Sequence, residues 1–264
     1  MTDHLLVDEQ DGVAILTMNR PDRLNAMSGE MMDALLENCR RLAGDRSIGC
    51  VVLRGAGRGF CSGGDVKGMA EGNARRDNTV EGRTLWLREN MEVSRLLHEM
   101  PKPTIAMVRG AMAGAGMSMG LACDMRIASD TLKFTTAFGN VGFSGDFGGS
   151  YFLTHIVGTA KARELYYTAE KLNAEQALAL GIVNRVVPDA DLETETLALA
   201  RRIAGGPTIA HAYMKRNLNA ATTEPLARCF DMEAEHHIRT GQTDDHKEAA
   251  RAFVEKRAPV FTGT

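Results

Sequence analysis

The stretch Val108–Asp124 constrains this chain more than any other. It reads V-R-G-A-M-A-G-A-G-M-S-M-G-L-A-C-D, with glycines at 110, 114, 116 and 120 among small apolar residues. Lys102-Pro103 and the apolar run Thr104–Val108 precede it, and that run predicts a strand. The pattern after the glycines predicts a helix that ends near Cys123-Asp124. Strand, glycine-rich turn and helix start together set bare backbone N–H groups at the positive end of a helix. Such a place suits an anion, or an oxygen that becomes negative. The alternative is that these glycines merely allow close packing.

A second stretch has the same plan. Cys50–Arg54 predicts a buried strand, because Cys-Val-Val-Leu shows no polar alternation. Gly55–Gly64 then forms a glycine-rich loop before Asp65 and a helix start at Val66–Met69. Gly64 and Ala115 both sit where turn becomes helix. If the fold brings them together, their two N–H groups make a hole for one oxygen. Chemistry that develops an enolate or a tetrahedral oxyanion at a carbonyl needs such a hole.

Around these loops the chain alternates strands and helices. Asp11-Gly12 predicts a hairpin between Leu5–Glu9 and Val13–Met18. Ser28 is a candidate cap for a helix over 30–43. Glu71–Asp77 reads as a loop and Thr84–Met100 as one helix that Pro101 stops. Met125–Ala128 and Leu132–Thr135 read as strands. A third glycine-rich region, Phe138–Ser150, carries one acid, Asp146. Helices are expected on either side of Gly158 and over Ala174–Leu180, then a strand over Ile182–Val187. From Leu192 onward the pattern is helical: 192–204, 207–219, 223–239 and 243–256. The expected organisation is a strand-helix core over 1–190 and a helical region over 191–264.

Composition excludes some classes. Net charge is −3, from 31 basic and 34 acidic residues, so no general field attracts nucleic acid or an acidic membrane. The longest apolar runs fall short of a membrane span, and the first residues lack a signal-peptide pattern. Five scattered cysteines without a C-x-x-C pair point to reduced thiols in a cytoplasmic setting, not to zinc or disulfides. No metal is expected.

Four separated motifs carry a resemblance. Arg23-Leu24-Asn25-Ala26-Met27, Gly59-Phe60-Cys61-Ser62-Gly63-Gly64-Asp65-Val66, Gly110–Asp124 and Phe253–Phe261 match, in order and spacing, those of the crotonase (enoyl-CoA hydratase/isomerase) family. The match spans about residues 5 to 261. It implies an α/β fold: a spiral of repeated ββα units with a helical C-terminal trimerisation region, assembled as trimers or dimers of trimers. It implies a coenzyme A thioester as substrate and no cofactor besides the CoA that the substrate carries. By position, Gly64 and Ala115 correspond to the family's two oxyanion-hole donors. Arg23, Leu24, Ala26, Ser62, Gly63, Gly64, Asp65 and Val66 fall where the family wraps CoA. Lys256, with Phe253, resembles the C-terminal pair that reaches CoA's adenine and phosphate, often across a subunit boundary.

The reaction turns on acids. The family's hydratases use two glutamates, and this chain has Ser118 and Phe138 in their places. A phenylalanine exchanges no proton and a serine alone is a poor base. The acid at Asp146 resembles instead the lone carboxylate of the enoyl-CoA isomerase branch, nearest to the phenylacetate-pathway isomerase of a ring-epoxide thioester. That branch often has proline where this chain has Gly145. The expectation is therefore a double-bond isomerase that uses Asp146, with enoyl-CoA hydration and non-catalytic acyl-CoA binding as alternatives. An N-cap is the competing role for Asp146. The dehalogenase branch also has an aspartate there, but its partner histidine would fall at Met91. Trp86, Met91, Met112, Met117 and Phe143 are candidate linings for the acyl group.

Overall fold

A computed structural model describes residues 2–65 and 79–264. Val66, the helix start at 66–69 and the loop at 71–77 lie outside the described residues.

The Asp-Gly hairpin forms as expected. β1 (Leu5–Gln10) pairs antiparallel with β2 (Val13–Met18). Asp11 and Gly12 sit between them at φ 53° and 73°, the left-handed pair that suits the strand twist. Ser28 caps α1 (Gly29–Gly44) by accepting the Met31 N–H. From β2 onward the strands of the large sheet run parallel: β3 (Cys50–Gly55), β4 (Thr104–Val108), β6 (Met125–Ser129) and β9 (Arg185–Val187), in the order β1-β2-β3-β4-β6-β9.

The missing polar alternation of these strands has a plain cause: both faces are covered. Ala14, Leu16, Val51, Leu53, Ala106 and Val108 face the main core. Val13, Ile15, Cys50, Val52, Ile105 and Met107 face the other way, onto Leu192, Leu199 and Ala200 of α7 (Leu192–Ala204). Burial on both faces is usual for parallel sheets.

Between β3 and β4 stand α2 (Val80–Asn90) and α3 (Glu92–Glu99), not the single helix expected over 84–100. The chain turns at Met91, where Asn90 Nδ2 bonds back to Trp86 O (2.7 Å). This lets α3 bury Val93, Ser94 and Leu97. The glycine-rich stretch holds a short strand, β5 (Ala111–Ala113), and then α4 (Gly114–Ala122). β5 pairs with β7 (Lys133–Thr135), and β7 with β8 (Leu172–Asn173), in a small second sheet. α5 (Gly149–Thr168) breaks at Gly158, whose φ 78° and ψ 164° are not helical. After α6 (Ala174–Ala179) the expected strand over Ile182–Val187 shortens to β9. Ile182 is buried, but its N–H bonds back to Ala177 O (2.9 Å) and not to the sheet.

The remaining helices are α8 (Thr208–Ala220), α9 (Leu226–Thr240) and α10 (Asp244–Glu255). A buried lysine ties α8 to the core: Lys215 Nζ donates to Leu97 O, Lys102 O and Asp124 Oδ2 at 2.8, 3.1 and 2.8 Å. Breaking such a buried pair typically costs about 3–5 kcal/mol. All five cysteines are free thiols. Among the described residues, no helix is long and apolar enough to cross a membrane.

Candidate active site

In parallel sheets, sites gather beyond the carboxyl ends of the strands. Here the loops after β2, β3 and β4 meet at that edge. Leu24 and Asn25 adopt φ 48° and 57°, a conformation that asparagine tolerates better than most residues. Asn25 is fully buried. Its Oδ1 accepts the Arg20 N–H, and its Nδ2 donates to Ala56 O and Gly59 O (2.9 and 2.7 Å). The loop after β2 is thus stitched to the loop after β3. Ser62 N donates to Leu24 O (3.0 Å), Ser62 Oγ to Arg23 O (3.3 Å), and Met27 N to Gly63 O (2.9 Å). Arg20 closes the arrangement with an ion pair to Asp65 at 2.9 Å and a bond to Ala26 O.

Of the residues expected around CoA, Arg23, Leu24, Ala26, Ser62, Gly63, Gly64 and Asp65 therefore come together. Val66 lies outside the described residues. Lys256 does not join them: it is the exposed left-handed cap of α10, and no hydrogen bond among the described residues ties it to these loops.

The loops after β3 and β4 are zipped by Cys61 N on Ala111 O (2.9 Å) and Ala113 N on Cys61 O (3.0 Å). Gly63 (φ 99°) and Gly114 (φ 51°) make the turns. A Cβ on Gly63 would stand 3.6 Å from Ala115 N, so Gly64, the next residue, lies beside the start of α4. Ala115 is in the first turn, where N–H groups find no acceptor within the helix and the helix dipole is positive. Close packing explains other glycines. A Cβ on Gly116 would stand 2.6 Å from Cys61 O, and one on Gly120 would strike the Met112 side chain. Both readings of the glycines hold, at different positions.

Asp146 lies in a loop of unusual backbone. Gly145, Phe147 and Gly148 have φ 114°, 49° and 78°. Proline, fixed near φ −65°, could not take the place of Gly145 in this loop. Asp146 Oδ1 is sealed from solvent and has no hydrogen-bond partner among the described residues. Burial pushes the carboxyl up to about 6, because desolvation disfavours its charged form. The capping role does not hold. α5 starts after Gly148, with no side-chain cap, and Gly149 N bonds the backbone O of Asp146. Ser118 and Phe138 are buried: Ser118 Oγ bonds back to Gly114 O (3.3 Å), and Phe138 stacks on Tyr166 at 6.0 Å. Tyr166 enters the site without any sequence signal, as one aromatic residue in an ordinary helix. Cys61 is a buried thiol pushed up to about 12, mainly by burial and further by Asp146.

An open cavity of about 550 Å³ adjoins this loop. Phe147 and Gly148 line it together with Met91, His98, Tyr151 and Asn219. Gly64, Ala115 and Asp146 do not line it. Of the five candidate acyl-pocket residues only Met91 does; Met112 and Met117 are core, and Phe143 is exposed. Burial, then Lys215, keeps His98 biased to its neutral form, and its ring meets Phe152 edge-on at 5.1 Å.

Comparison with known proteins bears on the family and the fold. The family model "Enoyl-CoA hydratase/isomerase" matches residues 8–264. The "1,2-epoxyphenylacetyl-CoA isomerase" of Escherichia coli (strain K12) is 36% identical over 266 residues, covering all of both chains. A "Probable enoyl-CoA hydratase" of Rhodobacter capsulatus is 37% identical over 256 residues, covering 96% of this chain and 95% of its own. Among solved structures, an enoyl-CoA hydratase from Polaromonas sp. JS666 superposes with TM-score 0.91 at 30% identity, covering 98% of this chain and 99% of its own. One from Mycobacterium smegmatis does so with TM-score 0.89 at 31% identity, covering 98% of each.

Proposed function

This chain belongs to the enoyl-CoA hydratase/isomerase family, and we propose that within it the protein is an enoyl-CoA double-bond isomerase with Asp146 as its acid and base. One observation carries the reading: a buried carboxyl, pushed up by desolvation to about 6, meets no second carboxyl among the described residues, and the two glutamate positions of the hydratases hold Ser118 and Phe138. Allylic isomerisation needs one carboxylate, whereas hydration needs a positioned water as well. In this mechanism Asp146 takes a proton from the carbon next to the thioester. The Gly64 and Ala115 N–H groups hold the oxygen of the resulting dienolate, and Asp146 returns the proton two carbons further on. The base is poised near working pH, where proton exchange in both directions is fast. The isomerase name of the Escherichia coli relative supports the reading.

The hydratase names among the relatives favour a second reading, addition of water to the conjugated double bond. One pair of assays separates the two. Wild type and Asp146→Ala are given 3-enoyl-CoA and a cyclic thioester, then crotonyl-CoA. Isomerisation lost in the variant, with little hydration in the wild type, supports the first reading. Robust crotonyl-CoA hydration that survives Asp146→Ala overturns it.

The active form is proposed to be a homotrimer or dimer of trimers, built through 191–264, with Lys256 reaching the CoA end of a site. Leu218, Leu226, Phe230 and Ile238 support this, because α8 and α9 expose them widely. Apolar side chains gathered on one region commonly mark an interface. Light scattering at micromolar concentration reads the outcome: a mass near three or six chains is expected, and a monomer would end the proposal.

A further inference from the structure

Tyr166 is half-buried on the second half of α5, well away in sequence from every motif that carries the family resemblance. Its side chain nevertheless reaches into the loop that bears Asp146. A Cβ on Gly145 would stand 3.5 Å from Tyr166 Oη, and one on Gly149 would stand 2.8 Å from it. The phenol is therefore wedged between the two glycines that flank the acid, in room that exists because neither has a side chain. The same added Cβ on Gly149 would strike Ser118 Oγ. Phe138 stacks on the ring with planes 16° apart and fixes its orientation.

Two polar atoms in this small space lack partners among the described residues. Asp146 Oδ1 and Tyr166 Oη are both sealed from solvent and make no hydrogen bond there. A buried polar atom without a partner typically costs about 1–3 kcal/mol, so such atoms in a native protein call for an explanation. One is a donor and the other an acceptor, and the pairing of the two removes both costs. The serine in the same space already bonds to Gly114 O.

We propose that Tyr166 is a positioning residue for the acid: its phenol donates to a water that bridges to Asp146 Oδ1, and so turns the other carboxyl oxygen toward the substrate carbon. The idea rests on Asp146 being the base, and it deepens that reading. It also gives Phe138 and Ser118 a use. Where a hydratase would place glutamates, these residues support and flank the phenol. Among the described residues, the titratable groups that face the carboxyl are Tyr166 from α5 and Cys61 from the loop after β3, each pushed up by burial first and further by the carboxylate's charge. α4 presents Met117 and Ser118, and Phe138 comes from the turn before the loop; neither element adds a charge there. Burial is the cause of the carboxyl's own shift.

Tyr166→Phe keeps the ring and removes only the donor. A bond that favours the charged carboxyl lowers its pKa, so its removal moves the Asp146 titration up by about one pH unit, the scale of one hydrogen bond to a charged group. Two measurements read this. Carbon-13 NMR of the labelled carboxyls, assigned with Asp146→Asn, follows the titration itself. The kcat/KM profile for 3-enoyl-CoA follows its catalytic effect. The expected result is the same upward shift in both, with kcat about threefold lower at pH 6.5, as the smaller ionised fraction requires, and KM within twofold. A Tyr166→Phe titration that superposes on the wild type overturns the tyrosine proposal, even where Asp146→Asn is inactive. An active Asp146→Asn overturns the base assignment, and the role of Tyr166 in catalysis with it, whatever the NMR shows.

Discussion

Two glycine-rich regions meet in this molecule and do opposite work. In the paired loops after β3 and β4, glycine serves closeness. Cys61, Ala111 and Ala113 exchange backbone hydrogen bonds, and Gly116 lies flat against Cys61. In the proposed mechanism this region offers only backbone N–H groups, held by a hydrogen-bond network with little freedom. In the loop over 142–149, glycine serves shape. Gly142, Gly145 and Gly148 take positive φ values, and a carboxyl of this loop and the phenol that reaches it have buried polar atoms without hydrogen-bond partners among the described residues. The first region is satisfied and fixed, while the second holds its polar groups at a cost. That division suits a reaction in which charge arrives at one place and a proton leaves from another. On the proposed reading the oxygen site must not move, whereas the acid must be kept near its switching point.

The contrast can be tested, first at its strongest point. Asp146→Asn is expected to lower isomerase kcat by about 10³-fold, within the range for loss of a general base. The same change should stabilise the protein at neutral pH. The folded-state value near 6 lies above the ordinary 3.8, so the charged carboxyl opposes folding above about pH 6. That cost fades as pH falls from 6 toward 4, where the folded protein binds the proton first. Asp146→Asn should therefore gain on the order of 2–3 kcal/mol at pH 7 and nothing at pH 3.5, as read by urea unfolding at the two pH values. No gain at pH 7 would mean that the loop carries no such cost.

Gly116→Ala attacks the other region. The new methyl would stand 2.6 Å from Cys61 O and 2.7 Å from Cys61 Sγ, and overpacking of this kind costs about 1–3 kcal/mol. A lower urea midpoint at unchanged slope is expected. Normal stability would show that the two loops can part without penalty. Next comes pH. The wild-type kcat/KM should fall about tenfold per unit below pH 6 as Asp146 takes up its proton, and a flat profile down to pH 5 would contradict the assignment. The smallest effect belongs to Ala115→Gly. It keeps the N–H and removes a methyl, so activity should stay within about threefold if the backbone alone acts.

Much of this was legible in the chain. The Asp11-Gly12 hairpin, the Ser28 cap and the double-sided strands follow from local rules: a turn needs left-handed residues, a helix start needs an acceptor, and a buried strand has no wet face. The loops after β3 and β4 were legible too, because glycines stand where backbone must take rare shapes, whereas the left-handed turn at Leu24 and Asn25 after β2 carried no such signal. The small strands β5 and β8 were not, since three residues and two residues carry no period. The bend at Met91 was hidden for a similar reason. One helical pattern continues into the next, and only packing onto α1 and α4 decides where the axis turns.

The sequence by itself determined the framework and the absence of the usual glutamates, because these depend on which residue stands at a position. It also placed an acid at 146. Tertiary structure alone decided what kind of acid it is. Desolvation is a property of surroundings, and the surroundings of Asp146 come from residues as distant as Cys61 and Tyr166. It likewise decided that the phenol of Tyr166 reaches the loop, through the space that Gly145 and Gly149 leave open. No spacing rule encodes a gap that only two folded segments can enclose.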